Sequence, residues 1–230
     1  MKTIGLLGGM SWESTALYYK LINEEIKKQL GGLHSAKVVI YSIDFDEIEK
    51  LQHCGNWDET AVILSEAAKN IQNASADFLL ICTNTMHKVA PEIKKNIDIP
   101  ILHIADATGK KLQEENIEKI GLLGTAFTMK QDFYKERINN NFNIEVIIPN
   151  ELDMNIVHKI IYEELCLGVL KDDSKKEYLR IIDNLVSKGA QGVILGCTEI
   201  GMLIKKEDTK VKLFDTTLIH SLEAVKQALS

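Results

Sequence analysis

Short apolar runs alternate with stretches of helical periodicity along the whole chain. Continuous apolar runs at 3–7, 37–43, 77–81 and 99–103 predict four strands in the first half, and runs at 119–123, 144–148, 191–195 and 211–214 predict four in the second. They lack the polar alternation of a half-exposed sheet, as expected of strands covered by helices on both faces. Between them lie apolar stripes at helical spacing: Ile63, Leu64, Ala67, Ala68 and Ile71; Ile156, Val157, Ile160, Ile161 and Leu165, ending near Gly168; Tyr178, Ile181, Ile182, Leu185 and Val186; and Leu218, Ile219, Leu222, Val225 and Leu229. Asp58 is expected to cap the first of these helices, with Trp57 and Val62 as a hydrophobic staple, and Ser174 and Glu177 have capping-box spacing. Pro91 is expected to start a new helix or a kink.

Strands alternating with helices predict βα units and a parallel sheet. The pattern also repeats. Ile4-Gly5-Leu6-Leu7-Gly8 recurs as Ile120-Gly121-Leu122-Leu123-Gly124, and Cys82-Thr83 recurs as Cys197-Thr198, with offsets of 116 and 115. The expected fold is therefore α/β: two flavodoxin-like (Rossmann-like) half-domains, each a four-stranded parallel sheet flanked by helices, related by pseudo-two-fold symmetry. Open sheets of this kind bind ligands beyond the carboxyl ends of their strands. Gly8-Gly9-Met10-Ser11, Cys82-Thr83-Asn84-Thr85, Gly124-Thr125 and Gly196-Cys197-Thr198-Glu199 all fall at such ends.

Composition narrows the chemistry. The 230 residues are 45% hydrophobic and 26% charged, with a net charge of −6 and basic residues spread along the chain, so no nucleic-acid surface is expected. No run approaches the ~18 apolar residues of a membrane span. Lys2 leads straight into a strand and a glycine turn rather than a leader, so a cytoplasmic protein is expected. Cys54, Cys82, Cys166 and Cys197 fit free thiols in a reducing compartment. Cys82, His87 and Cys197 form a nominal ligand trio, but without a Cys-x-x-Cys pair no metal is expected. The glycines follow neither a dinucleotide-binding nor a P-loop pattern.

Two cysteines in matched positions of a repeat would face each other across the cleft between halves. One thiolate removes the proton of a carbon next to a carboxylate, and the opposite thiol delivers a proton to the other face. Cys82 and Cys197 are thus the expected acid/base pair of a racemase, each held at a strand-to-helix junction where backbone N–H groups and the helix dipole favour a thiolate. Thr83, Asn84, Thr85, Thr125, Thr128 and Thr198 are expected to hold the substrate's carboxylate and amino group. Glu199 either tunes the second thiol or caps a helix. His87 and His220 are expected to be structural or exposed, and Cys54 and Cys166 inert. A cysteine hydrolase or amidotransferase lacks its Gly-x-Cys-x-Gly elbow here, whereas a non-enzymatic small-molecule binding protein also suits two βα lobes.

Gly8-Gly9-Met10-Ser11-Trp12, Cys82-Thr83-Asn84-Thr85-Met86-His87 and Gly196-Cys197-Thr198-Glu199 resemble the aspartate/glutamate racemase family, the amino-acid racemases that work without a cofactor. The resemblance covers essentially the full chain. It implies an interdomain active site, a homodimer, an amino-acid substrate, and neither pyridoxal phosphate nor metal. It implies that Cys82 and Cys197 are the acid/base pair and that Met10, Gln52, Thr83, Asn84, Thr85, Thr125 and Thr128 contact substrate. It also implies that the last helix packs back on the first half, dividing the chain into 1–104 completed by 216–230, and 105–215. Hydantoin racemase and maleate isomerase are similar and use comparable cysteine pairs. One departure stands out. Where aspartate-preferring members carry basic side chains, this chain reads Asp46-Glu47-Ile48-Glu49 and Tyr162-Glu163-Glu164-Leu165-Cys166, leaving Lys159 or Arg137 to substitute. Aspartate or glutamate is the first expected substrate, and a broad-specificity amino-acid racemase the alternative.

Overall fold

The computed structural model describes all 230 residues, in two compact units: Met1–Ile104 with His220–Ser230, and Ala105–Ile219. Unit 1 contains β1 (Ile4–Gly8), α1 (Trp12–Leu30), β2 (Val38–Ser42), α2 (Phe45–His53), α3 (Trp57–Asn73), β3 (Phe78–Ile81), a 3₁₀ turn (Thr85–Val89) and α4 (Ala90–Lys94). Helix α5 (Ile104–Glu114) carries the chain into unit 2. There follow β4 (Lys119–Gly124), α6 (Ala126–Lys130), α7 (Asp132–Phe142), β5 (Glu145–Ile147), α8 (Glu151–Glu163), a 3₁₀ turn (Leu165–Leu167), α9 (Asp172–Ser187), β6 (Gly192–Gly196), α10 (Ile200–Leu203) and β7 (Lys212–Asp215). Helix α11 (Thr216–Leu229) returns to unit 1.

Every strand pair is parallel, in the orders β2-β1-β3 and β5-β4-β6-β7. Each unit therefore winds its second strand outside its first and its third on the other side, the start of a flavodoxin-like order. The strand expected at 99–103 is reduced to a single parallel bridge, Leu79 to Ile101, closed by Leu79 N–H to the Pro100 carbonyl and Leu102 N–H to the Leu79 carbonyl, each 2.9 Å. Beyond the bridge the Leu102 carbonyl accepts from His220 Nε2 at 2.8 Å, and α5 begins at Ile104.

Strand alternation sorts unit 1 into two cores. Leu79 and Ile81 pack on the α3 side with Leu64, Ala68 and Ile71. Phe78, Leu80 and Cys82 point the other way, into a core with Tyr18 and Ile22 of α1 and Ala224, Val225 and Ala228 of α11. Two helix starts differ from expectation. Asn56, not Asp58, caps α3, accepting from Glu59 N–H at 3.3 Å; Val62 is 62% exposed and staples nothing. Ser174 lies inside α9, and its hydroxyl donates to Glu164 Oε2 at 2.5 Å instead of capping. Pro91 sits in the first turn of α4 as expected. No helix is long and apolar enough to cross a membrane.

His220 is fully buried. Tyr18 Oη donates to its Nδ1 at 2.9 Å and its Nε2 donates to the Leu102 carbonyl, so the ring is neutral. Burial lowers its pKa to about 4. The folded form therefore binds fewer protons than the unfolded chain between that value and the ordinary 6.5, and stability present above pH 6.5 is lost as pH falls toward 4. The expected loss from this group is about 3 kcal/mol. Urea unfolding of His220→Phe at pH 7 and pH 4.5 is expected to show a flatter acid limb than the unsubstituted protein.

Candidate active site

In unit 1 the loop after β1 is forced by glycine. Gly9 has φ +93, and a side chain there would put its Cβ 2.2 Å from the Ile43 carbonyl oxygen. Its N–H donates to Thr15 Oγ1 at 2.8 Å, while Thr15 Oγ1 donates to the Ser11 carbonyl at 2.9 Å. Ser11 caps α1 by accepting from Ser14 N–H, and Ser14 Oγ donates to the Cys82 carbonyl at 3.1 Å. The loops after β1 and β3 are thereby joined through one buried serine that the sequence did not single out. Met10 packs in the α3-side core and Gln52 is buried on α2. Asn84 and Thr85 are buried, and Thr83 is partly exposed.

Cys82 does not belong with these polar groups. Its side chain is fully buried and continues the Phe78–Leu80 row into the apolar core against α1 and α11. Strand register gives the reason. Leu7 pairs with Ile81 in unit 1, and its repeat counterpart Leu123 pairs with Leu195 in unit 2. One residue further, Cys82 corresponds to Gly196, and one beyond that, Thr83 corresponds to Cys197. Aligning the two Cys-Thr pairs by identity slips the pleat by one residue, and such a slip sends a side chain to the opposite face. The expectation of two thiols in matched positions is corrected: Thr83 holds the position equivalent to Cys197.

In unit 2, Thr125 caps α6 by accepting from Thr128 N–H at 3.3 Å, and the two hydroxyls lie 3.2 Å apart in buried surroundings. Ala126 N–H donates to His158 Nδ1 at 3.2 Å, a support that carries no local sequence signal. At the end of β6, Cys197 Sγ donates to Glu199 Oε2 at 2.9 Å. Glu199 is 7% exposed and makes no capping bond with its side chain, whose Oε2 accepts from the thiol. Thr217 Oγ1 reaches Thr198 Oγ1 at 3.4 Å, and Thr216 Oγ1 holds the Leu195 carbonyl at 3.0 Å. The loop is thus tied to the start of α11.

Neither thiol is a resting thiolate. Burial pushes the Cys82 thiol far up. Cys197 keeps some exposure as a residue, yet desolvation of its sulfur first, then the Glu199 carboxylate and Cys166, raise its thiol well above the ordinary value. The helices that follow, a five-residue 3₁₀ turn and the four-residue α10, are too short to offset this through their dipoles. Cys166 is therefore close enough to be felt by Cys197, whereas Cys54 is exposed. The two proposed substitute cations are engaged elsewhere. Arg137 holds Asp106 bidentately at 2.6 and 2.7 Å, and Lys159 pairs with Glu163 at 3.7 Å on the surface.

A family model described as Asp/Glu/hydantoin racemase matches residues 7–224. The chain belongs to that family, whose members are isomerases. A Yersinia pestis protein provisionally described as an Asp/Glu racemase is 51% identical, with a TM-score of 0.94 and full coverage of both chains. An aspartate racemase homologue from Pyrococcus horikoshii OT3 is 35% identical, with a TM-score of 0.85 and again full coverage of both. The broad-specificity amino-acid racemase RacX of Bacillus subtilis is 20% identical over 99% of this chain and 98% of its own length.

Proposed function

We propose that this chain racemises amino acids without a cofactor, with Cys197 as the principal proton carrier, Glu199 as its partner and the Thr83 hydroxyl as the second proton donor. The observation that carries the reading is the Cys197 Sγ–Glu199 Oε2 hydrogen bond of 2.9 Å at the carboxyl end of β6. The resting thiol is protonated. As the substrate binds, its ammonium offsets the local negative charge, and Glu199 takes the thiol proton. The thiolate then removes the α-hydrogen, leaving a carbanion conjugated with the carboxylate. Buried hydroxyls of Thr125 and Thr128, with Asn84, Thr85 and Thr198, are suited to hold that carboxylate and the amino group. Once the thiol's hydrogen has been replaced from solvent, its return to the same face gives exchange with retention; a proton delivered through the Thr83 hydroxyl from solvent gives inversion.

A hydroxyl is a far weaker base than a thiolate, so the two enantiomers are expected to exchange their α-hydrogen at unequal rates. The test is incubation of a panel of D- and L-amino acids in heavy water, read by NMR for exchange and by chiral chromatography for inversion. Exchange and inversion that persist after dialysis against a chelator support the reading. Tight binding of an amino acid with no exchange of any enantiomer would sink it in favour of a small-molecule binding protein.

Aspartate or glutamate is the proposed substrate, in keeping with the descriptions of the 51% and 35% identical proteins. A second reading, broad specificity, is favoured by one observation: Arg137 and Lys159 are both committed to carboxylates of the protein itself. Faster exchange of neutral than of acidic amino acids in the same panel would select it. A homodimer, which the family resemblance implies, is the proposed assembly, measurable by light scattering.

A further inference from the structure

His87 is buried, with a bond on each ring nitrogen. Its Nδ1 lies 2.8 Å from the Thr83 carbonyl oxygen, and its Nε2 lies 3.2 Å from Ile104 N. A carbonyl can only accept and an amide N–H can only donate. The ring must therefore carry its proton on Nδ1 and present a lone pair at Nε2, which is one defined neutral tautomer. The same ring lies 4.4 Å from the His103 ring, tilted 60° to it, and 6.0 Å from His220, which is itself anchored to Tyr18 and to the Leu102 carbonyl. Ile104 is the last residue of unit 1 before the chain leaves it, and His220 is the first residue on its return. One buried histidine thus ties the backbone of Thr83 to the fixed segment Leu102–Ile104.

We infer that His87 is a positioning residue that sets the Thr83 hydroxyl for proton delivery in inversion, through its bonds to the Thr83 carbonyl and the Ile104 N–H. The inference rests on the racemase reading with Thr83 and Cys197 as the two proton carriers. It separates two quantities that a general loss of structure moves together. Exchange with retention moves its proton through Cys197 and Glu199, whereas inversion also needs Thr83. Without the Nδ1–H bond the Thr83 carbonyl loses its fixed donor and the loop shifts. A displacement near 1 Å costs on the order of 10²-fold in rate.

The experiment compares His87→Leu with His87→Gln, whose amide keeps one donor and one acceptor. Initial rates of α-deuterium exchange and of inversion are measured on the same amino acid at saturating concentration. His87→Leu is expected to lower inversion roughly 10- to 100-fold, with exchange by the faster enantiomer changed far less. His87→Gln is expected to restore most of the ratio of inversion to exchange. A wild-type ratio in a folded, active His87→Leu overturns the inference while leaving the racemase reading intact. Absence of exchange in the unsubstituted protein overturns both. Should His87→Leu fail to fold, the His87→Gln ratio and the ¹⁵N shifts of the unsubstituted protein decide: an Nε2-protonated His87 in the folded state overturns the inference, and an Nδ1-protonated one with a nearly wild-type ratio in His87→Gln supports it.

Discussion

Cys197→Ser is expected to lower α-hydrogen exchange and inversion together by roughly 10²–10⁴-fold, the range typical of a lost general acid/base. Serine keeps the size and the hydrogen bond to Glu199, but its hydroxyl does not ionise where a thiol can. The informative companion is Cys82→Ala. Its side chain fills apolar space beside Tyr18, Leu80 and Val225, so the change is expected to cost about 1–2 kcal/mol of stability and to leave turnover near that of the unsubstituted protein. Activity is measured by exchange in heavy water and stability by urea unfolding. A folded Cys82→Ala protein with no activity would return Cys82 to the chemistry and defeat the register argument.

Glu199→Gln is expected to move two quantities in opposite directions. The carboxylate is the second cause, after burial, of the raised Cys197 thiol. Removing its charge therefore lowers the thiol pKa, and alkylation of the Cys197 peptide, followed by mass spectrometry, is expected to become faster at a given pH. Turnover is nevertheless expected to fall roughly 10- to 100-fold, toward the lower part of the range for proton-transfer groups, because an amide accepts the thiol's hydrogen bond but not its proton. A side chain that only packed against the sulfur would leave both measurements nearly unchanged. A rise in turnover alongside the lower pKa would show that the carboxylate opposes the reaction.

Most of the fold was legible because buried parallel strands announce themselves as apolar runs. Seven of the expected strands are present with ends shifted by at most one residue, and the eighth survives as the Leu79–Ile101 bridge. At the end of that bridge the His220 bond to the Leu102 carbonyl joins residues 118 apart and leaves no local trace. Helix stripes were read from spacing, but their first residues were not: Asn56 outcompeted Asp58, and Ser174 turned to Glu164, a partner on another element. On the unit 2 side the placement of Gly196-Cys197-Thr198-Glu199 at the end of a strand was legible in the sequence. On the unit 1 side the Cys82-Thr83 pair is legible as a motif just past the end of β3, but the burial of the Cys82 side chain in the apolar core on the α1 side is not. Arg137 was offered as a substrate cation because its partner Asp106, 31 residues away, gives no sign of pairing in the sequence.

The matched register of β3 and β6 has one more consequence. Thr83 and Cys197 occupy corresponding stations on two copies of the same scaffold. Under the proposed mechanism, a single side chain at each station decides which mirror-image form is handled faster, so exchanging the residue at one station is expected to change the balance between the two forms.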